Sequence, residues 1–164
     1  MPSYTHLAYR RNAKAAARKQ QIKKPKNQES LLKAREDFGY FCEYVADKPP
    51  AEHHKTWHRH FVTNEDSSCL LKIAGPNVDL LAPRGSAKST VLGLLTAWAI
   101  GIHTQAKQPL QVLYLSYTVD IARSKSATIK RIIESKRYQE VFPKVRLLKN
   151  VTSNEYWSID HKFA

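Results

Sequence analysis

The 164-residue chain reads as an α/β protein built on a mainly parallel sheet. Three observations predict this class. An apolar segment at 77–82 leads at once into a glycine-containing loop, and the loop runs into a long apolar helix pattern over 88–102. A second run, Val112, Leu113, Tyr114 and Leu115, is nearly continuous within 111–116. Strands that read as unbroken hydrophobic runs suit a parallel sheet covered on both faces. A helix pattern over 119–136 completes the order strand, loop, helix, strand, helix, which is a βαβ unit.

The elements follow in chain order. Residues 1–26 are basic, with Ala13, Ala15, Ala16 and Ala17 among lysines and arginines. These are good helix formers, but they have almost nothing apolar to bury. Residues 1–30 are therefore expected to form a mobile basic arm, set off by Pro25. They hold eight Lys or Arg and one Glu, and the other 134 residues hold 19 basic and 13 acidic side chains. The whole chain carries a net charge of +13. Such an excess favours a polyanionic partner such as nucleic acid or an anionic surface.

Residues 31–45 are predicted to form one helix, because Leu31, Leu32, Arg35, Phe38, Cys42 and Val45 recur at three- and four-residue spacing. Pro49 and Pro50 stop it. The segment 51–64 is rich in histidine and aromatic residues, with Glu52 suited to a first helical turn and Trp57 one turn before Phe61. A short strand at 67–72 and a turn at Gly75-Pro76-Asn77 precede the first main strand. Thr118 or Ser116 can cap the helix at 119–136, whose apolar line is Ile121, Ala122, Ile129, Ile132 and Ile133. Weaker strand candidates lie at 145–148 and 156–159.

Cys42 and Cys69 have no metal-binding or redox spacing and are expected to be small buried hydrophobes. No apolar run follows the early basic residues, so no secretory leader is expected. The longest apolar stretch, within 91–102, is too short to span a bilayer.

The chemistry concentrates in Ala82-Pro83-Arg84-Gly85-Ser86-Ala87-Lys88-Ser89. This string follows the phosphate-loop pattern GxxxxGK[ST] except that Ala82 and Ala87 replace its two glycines. Its setting, between an apolar segment and a helix start, is the one the pattern requires. Backbone N–H groups in such a turn can converge on one anion, and the helix adds unpaired amides and its positive dipole end. Lys88 is placed to reach the β- and γ-phosphates of a nucleotide, and the Ser89 hydroxyl to ligate Mg²⁺. Thr90 is a further candidate for phosphate contact. Gly85 permits backbone angles closed to other residues. Ala87 is the departure that matters, since a methyl hinders any site that needs positive φ. Arg84 is positioned to pair with a phosphate oxygen.

With these residues the chain resembles the large terminase subunit of tailed bacteriophages, over roughly residues 35–160. Five segments match in order. They are Phe-Gly-Tyr-Phe-Cys-Glu-Tyr-Val at 38–45, His-His-Lys-Thr-Trp-His at 53–58, and Leu-Ala-Pro-Arg-Gly-Ser-Ala-Lys-Ser at 81–89. Tyr-Leu-Ser-Tyr-Thr-Val-Asp-Ile-Ala at 114–122 and the tract from Tyr138 to Pro143 complete the set. The resemblance implies a P-loop NTPase fold with a helicase-like, mainly parallel sheet and an N-terminal helical extension. It implies an ATP-driven DNA-packaging motor of a tailed phage, with ATP and Mg²⁺ as cofactors. Double-stranded DNA, the portal protein, the small terminase subunit and other copies of the large subunit are the implied partners, and no membrane is. The implied location is the host cytoplasm, at the procapsid portal.

By position, Lys88 and Ser89 take the phosphate and Mg²⁺ roles, and Arg84 that of an arginine contacting the γ-phosphate. Pro83, Gly85, Ser86, Ala87 and Thr90 line the loop, and Trp57 and His58 are candidates to lie near the adenine. Hydrolysis in the family needs an apolar strand ending in an acidic pair, and the 164 residues hold none; Asp160 stands alone after Trp157-Ser158-Ile159. No triad of nuclease carboxylates is visible either. The chain is thus expected to be the N-terminal portion of the ATPase domain, over 31–164, with weak turnover by itself. Rival readings are another P-loop nucleic-acid ATPase or helicase fragment, and a truncated, non-enzymatic DNA-binding protein.

Two further clusters carry weaker signals. His53, His54, His58 and His60 lack a completing ligand, so zinc is disfavoured against helix packing. Arg123, Lys125, Lys130, Arg131, Lys136 and Arg137 could position DNA through its phosphates, or could form a solvated helix face.

Overall fold

The structure, a computed structural model, describes residues 28–61 and 79–160. The basic arm up to residue 27, the strand at 67–72, the turn at 75–77 and Cys69 lie outside these residues; the last three residues expected in the arm, Gln28, Glu29 and Ser30, are helical. The chain divides after Ser30, and the unit from Leu31 onward holds the packed core. Among the described residues the elements are α1 (Gln28–Glu36), α2 (Phe38–Ala46), α3 (Glu52–Phe61), α4 (Lys88–Gln105), α5 (Val119–Glu134) and α6 (Lys136–Val141). Strands β1 (Leu147–Thr152) and β2 (Trp157–Ile159) complete the order.

Capping residues divide what periodicity alone reads as longer helices. Asp37 adopts an extended backbone, and its carboxylate accepts from the Tyr40 N–H at 2.9 Å. The predicted helix at 31–45 therefore becomes α1 and α2, with a new N-terminus at Phe38. Asp47, in the left-handed region at φ 54°, closes α2 with its N–H on the Glu43 carbonyl. Thr118 caps α5 as expected. Ser135 then ends α5 and caps α6, its hydroxyl accepting from the Tyr138 N–H.

Helix α4 is the central element. Val91, Leu94, Ala97, Trp98, Ile100 and Ile102 bury on several sides of it, and it packs against α2, α3 and α5. The core joins this helix to Phe38, Phe41 and Cys42 of α2, Ile129 and Ile133 of α5, and Tyr138, Val141, Phe142 and Val145 around α6. Two buried polar contacts tie it together. The Trp98 indole N–H donates to the Ala34 carbonyl at 3.1 Å, and the Tyr138 hydroxyl donates to the Ala97 carbonyl at 2.8 Å.

The parallel sheet does not form. Among the described residues the sheet is β1 paired antiparallel with β2, Leu147 opposite Ile159 and Thr152 opposite Trp157. It arises from the weaker strand candidates at 145–148 and 156–159. The two segments expected to be its central strands, as far as they are described, have no ladder. Leu81 is 95% exposed, Leu113 82% and Leu115 80%. A strand gains stability from a partner on each edge and a covered face, and among the described residues neither segment has one. The apolar surface of α4 is buried instead against other helices, which makes the described residues mostly helical. The expectation of an α/β P-loop fold on a helicase-like parallel sheet is corrected accordingly. No described helix is long and apolar enough to cross a membrane.

Candidate phosphate-binding loop

The loop at 82–89 enters the first turn of α4, an 18-residue helix. The Ser86 N–H turns back to the Pro83 carbonyl at 3.4 Å. Gly85 has φ +85°, and a Cβ built there would meet nothing within 4 Å. The backbone angle, not crowding, is what calls for glycine. Ala87 is also left-handed, at φ 57° and ψ 18°. For a residue with a Cβ this conformation costs about 1–2 kcal/mol. The phosphate-loop pattern has glycine at this position, and the backbone here takes up the angle that glycine would serve.

Ala87 is the N-cap of α4, and its methyl cannot cap. Its carbonyl receives Thr90 and Val91 at 2.9 and 3.0 Å. The N–H groups of Ala87, Lys88 and Ser89 donate to no acceptor among the described residues. The Ser86 hydroxyl is buried and likewise has no partner. A long helix thus begins with several uncompensated donors, the arrangement that favours an anion.

The predicted site residues lie as follows. Lys88 is half-buried, and Pro83, Arg84, Ser89 and Thr90 are exposed. Neither Arg84 nor Lys88 forms an ion pair among the described residues. Both cations remain available beside the loop.

Trp57 and His58 point into different surroundings. The Trp57 ring lies 5.0 Å from the rings of both His53 and His54. His58 stacks on Phe38 at 4.9 Å and meets Trp98 edge-on at 5.4 Å. Burial holds the His58 imidazole below its ordinary pKa; nearby Asp37 raises it and Arg59 lowers it by lesser amounts. Its Nε2 is buried without a partner. His58 is therefore a packing residue at the edge of the core in this conformation.

The residue that reaches the loop is His54, one turn earlier. It is buried. Its Nδ1 accepts from the Ala51 N–H at 3.2 Å, which leaves the proton on Nε2. Nε2 then donates to the Ser86 carbonyl at 2.8 Å. The sequence marks His54 only as one of the four histidines clustered at 53–60; no local pattern announces a contact 32 residues along the chain. Among the described residues no three His, Cys, Asp or Glu side chains gather as metal ligands.

The basic helix surface is partly committed within the molecule. Arg123 of α5 bonds Glu155 and Asp120, and Lys130 reaches the Ser153 carbonyl and Asn154 at 3.4 and 3.5 Å. Both fasten the β1–β2 turn over α5. Arg131 bonds the Ala127 carbonyl and Thr128 of its own helix. Arg137 donates to the Tyr44 carbonyl and to Asp47, joining α6 to the end of α2. Lys125 is half-buried and Lys136 exposed. Asp160 extends the hairpin, its N–H donating to the Arg146 carbonyl at 2.7 Å. No family model, curated protein or solved structure matches this chain.

Proposed function

We propose that residues 83–90 bind the phosphates of ATP with Mg²⁺, and that the chain is the nucleotide-binding portion of a tailed-phage DNA-packaging terminase. One observation carries the first half. The strained Ala87 turn opens α4 with unpaired Ala87, Lys88 and Ser89 amides, and the Lys88 ammonium has no carboxylate partner among the described residues. Unpaired amides at a helix N-terminus with a cation beside them suit an anionic group such as phosphate. Ser89 would supply the hydroxyl for Mg²⁺, and Arg84 would pair with the terminal phosphate. The second half rests on the ordered matches at 38–45, 53–58, 81–89, 114–122 and 138–143, with the net charge of +13 favouring DNA as partner. The site of action would be the host cytoplasm, at the procapsid portal. Binding, not rapid hydrolysis, is the activity expected, since the sequence has no acidic pair on an apolar strand.

Calorimetric titration with ATP and Mg²⁺ tests this directly. Wild type should bind, and Lys88→Ala should bind at least roughly tenfold more weakly, the loss of one charge-assisted contact to phosphate. Equal affinities for the two proteins would overturn the assignment.

A further inference from the structure

The His54–Ser86 hydrogen bond has a consequence for the strained residue beside it. The peptide joining Ser86 to Ala87 is trans, so its C=O and N–H point in opposite directions. By holding the Ser86 oxygen, His54 turns the Ala87 N–H to the other face of the loop. The same peptide plane sets φ of Ala87. Half a turn of it would bring that φ from +57° to a negative value, where alanine is unstrained. The amide would then point away from the ligand side.

We propose that His54 is the positioning residue of the phosphate loop, holding the Ser86–Ala87 peptide in its anion-facing orientation against the left-handed strain at Ala87. Burial of the imidazole and its second bond, from the Ala51 N–H, fix the ring so that Nε2 is the donor. Glycine at 87 would need no such brace, because it takes positive φ without penalty. The histidine and the alanine thus form a coupled pair. This inference deepens the ATP assignment and rests on it for its ligand, but the coupling itself is a property of the unliganded chain.

The test is a double-mutant cycle on the full chain with His54→Phe, Ala87→Gly and the two combined, plus His54→Gln. Thermal unfolding without ligand comes first. Ala87→Gly should raise Tm by about 3 °C when His54 is present and by less than about 1 °C in the His54→Phe background, where the peptide can already relax. Identical shifts in both backgrounds would overturn the proposal. ATP titration is the second measurement. His54→Phe should weaken binding about tenfold, His54→Gln should retain affinity within about threefold because its amide still donates, and adding Ala87→Gly to His54→Phe should recover most of the loss. Failure of both Gln and Gly to recover affinity would also overturn it. If wild type binds no ATP, the nucleotide assignment falls, and the melting cycle still decides whether His54 braces Ala87.

Discussion

Gly101 of α4 faces the ring of Phe142 so closely that a β-carbon on it would lie 2.5 Å from two ring atoms and 2.6 Å from a third. Phe142 is fully buried beside Phe41 and Tyr138, with ring centroids at 6.1 and 5.2 Å, and has nowhere to retreat. Helix propensity alone would favour alanine at 101 by about 1 kcal/mol. The overlap outweighs it. Gly101→Ala should destabilise the protein by about 1–3 kcal/mol, read as a lower urea midpoint at unchanged slope. Pairing it with Phe142→Leu should return part of that loss, and a stable single variant would show that α4 does not pack on Phe142 this way.

Stability should fall on mild acidification through His58. Its imidazole is held below the ordinary value of 6.5 mainly by burial between Phe38 and Trp98. The unfolded chain therefore takes up a proton at a higher pH than the folded one. The His58 contribution is complete above about pH 6.5 and is lost as pH falls from there through the depressed folded value. Urea midpoints measured from about pH 8 to about pH 5 should decline, and His58→Phe should flatten that decline. An unchanged slope in the variant would assign the effect to other groups.

Cys42 should be chemically silent in the folded protein. Burial, with a smaller effect from the Asp37 charge, pushes its thiol up to about 12, so almost no thiolate exists at about pH 8. In a Cys69→Ser background, a thiol-specific reagent at that pH should label Cys42 only at the rate of unfolding and rapidly in denaturant. Fast labelling of the native chain would contradict the packing of α2 on α4.

The parts legible in the sequence are those governed by neighbours within a few residues. The α4 and α5 helices, the Thr118 cap, the stop after Val45 and the glycine-dependent turn at 85 all follow from spacing and residue type. The caps at Asp37 and Ser135 belong to the same local code; there a continuous apolar stripe obscures the break. The run at 112–115 misleads for a different reason. Its side chains record a preference for burial, but a strand exists only where another segment supplies its ladder, and that is not a local property. Residues 147 to 159, with weaker strand patterning, pair because a short turn brings them together. His54 escapes sequence reading likewise, since its value lies in the carbonyl it meets and not in its own surroundings along the chain.

The uncovered leucines at 113 and 115 bear on solubility. An exposed apolar segment whose backbone joins no ladder among the described residues is a template for edge-to-edge joining of identical molecules. Repulsion between chains of charge +13 opposes such joining, and that repulsion shrinks as the screening length drops from about 30 Å at about 0.01 M salt to about 8 Å at physiological strength. Light scattering should therefore rise when salt is added to a concentrated solution, opposite to the usual salting-in of a basic protein, and Leu113→Lys should suppress the rise.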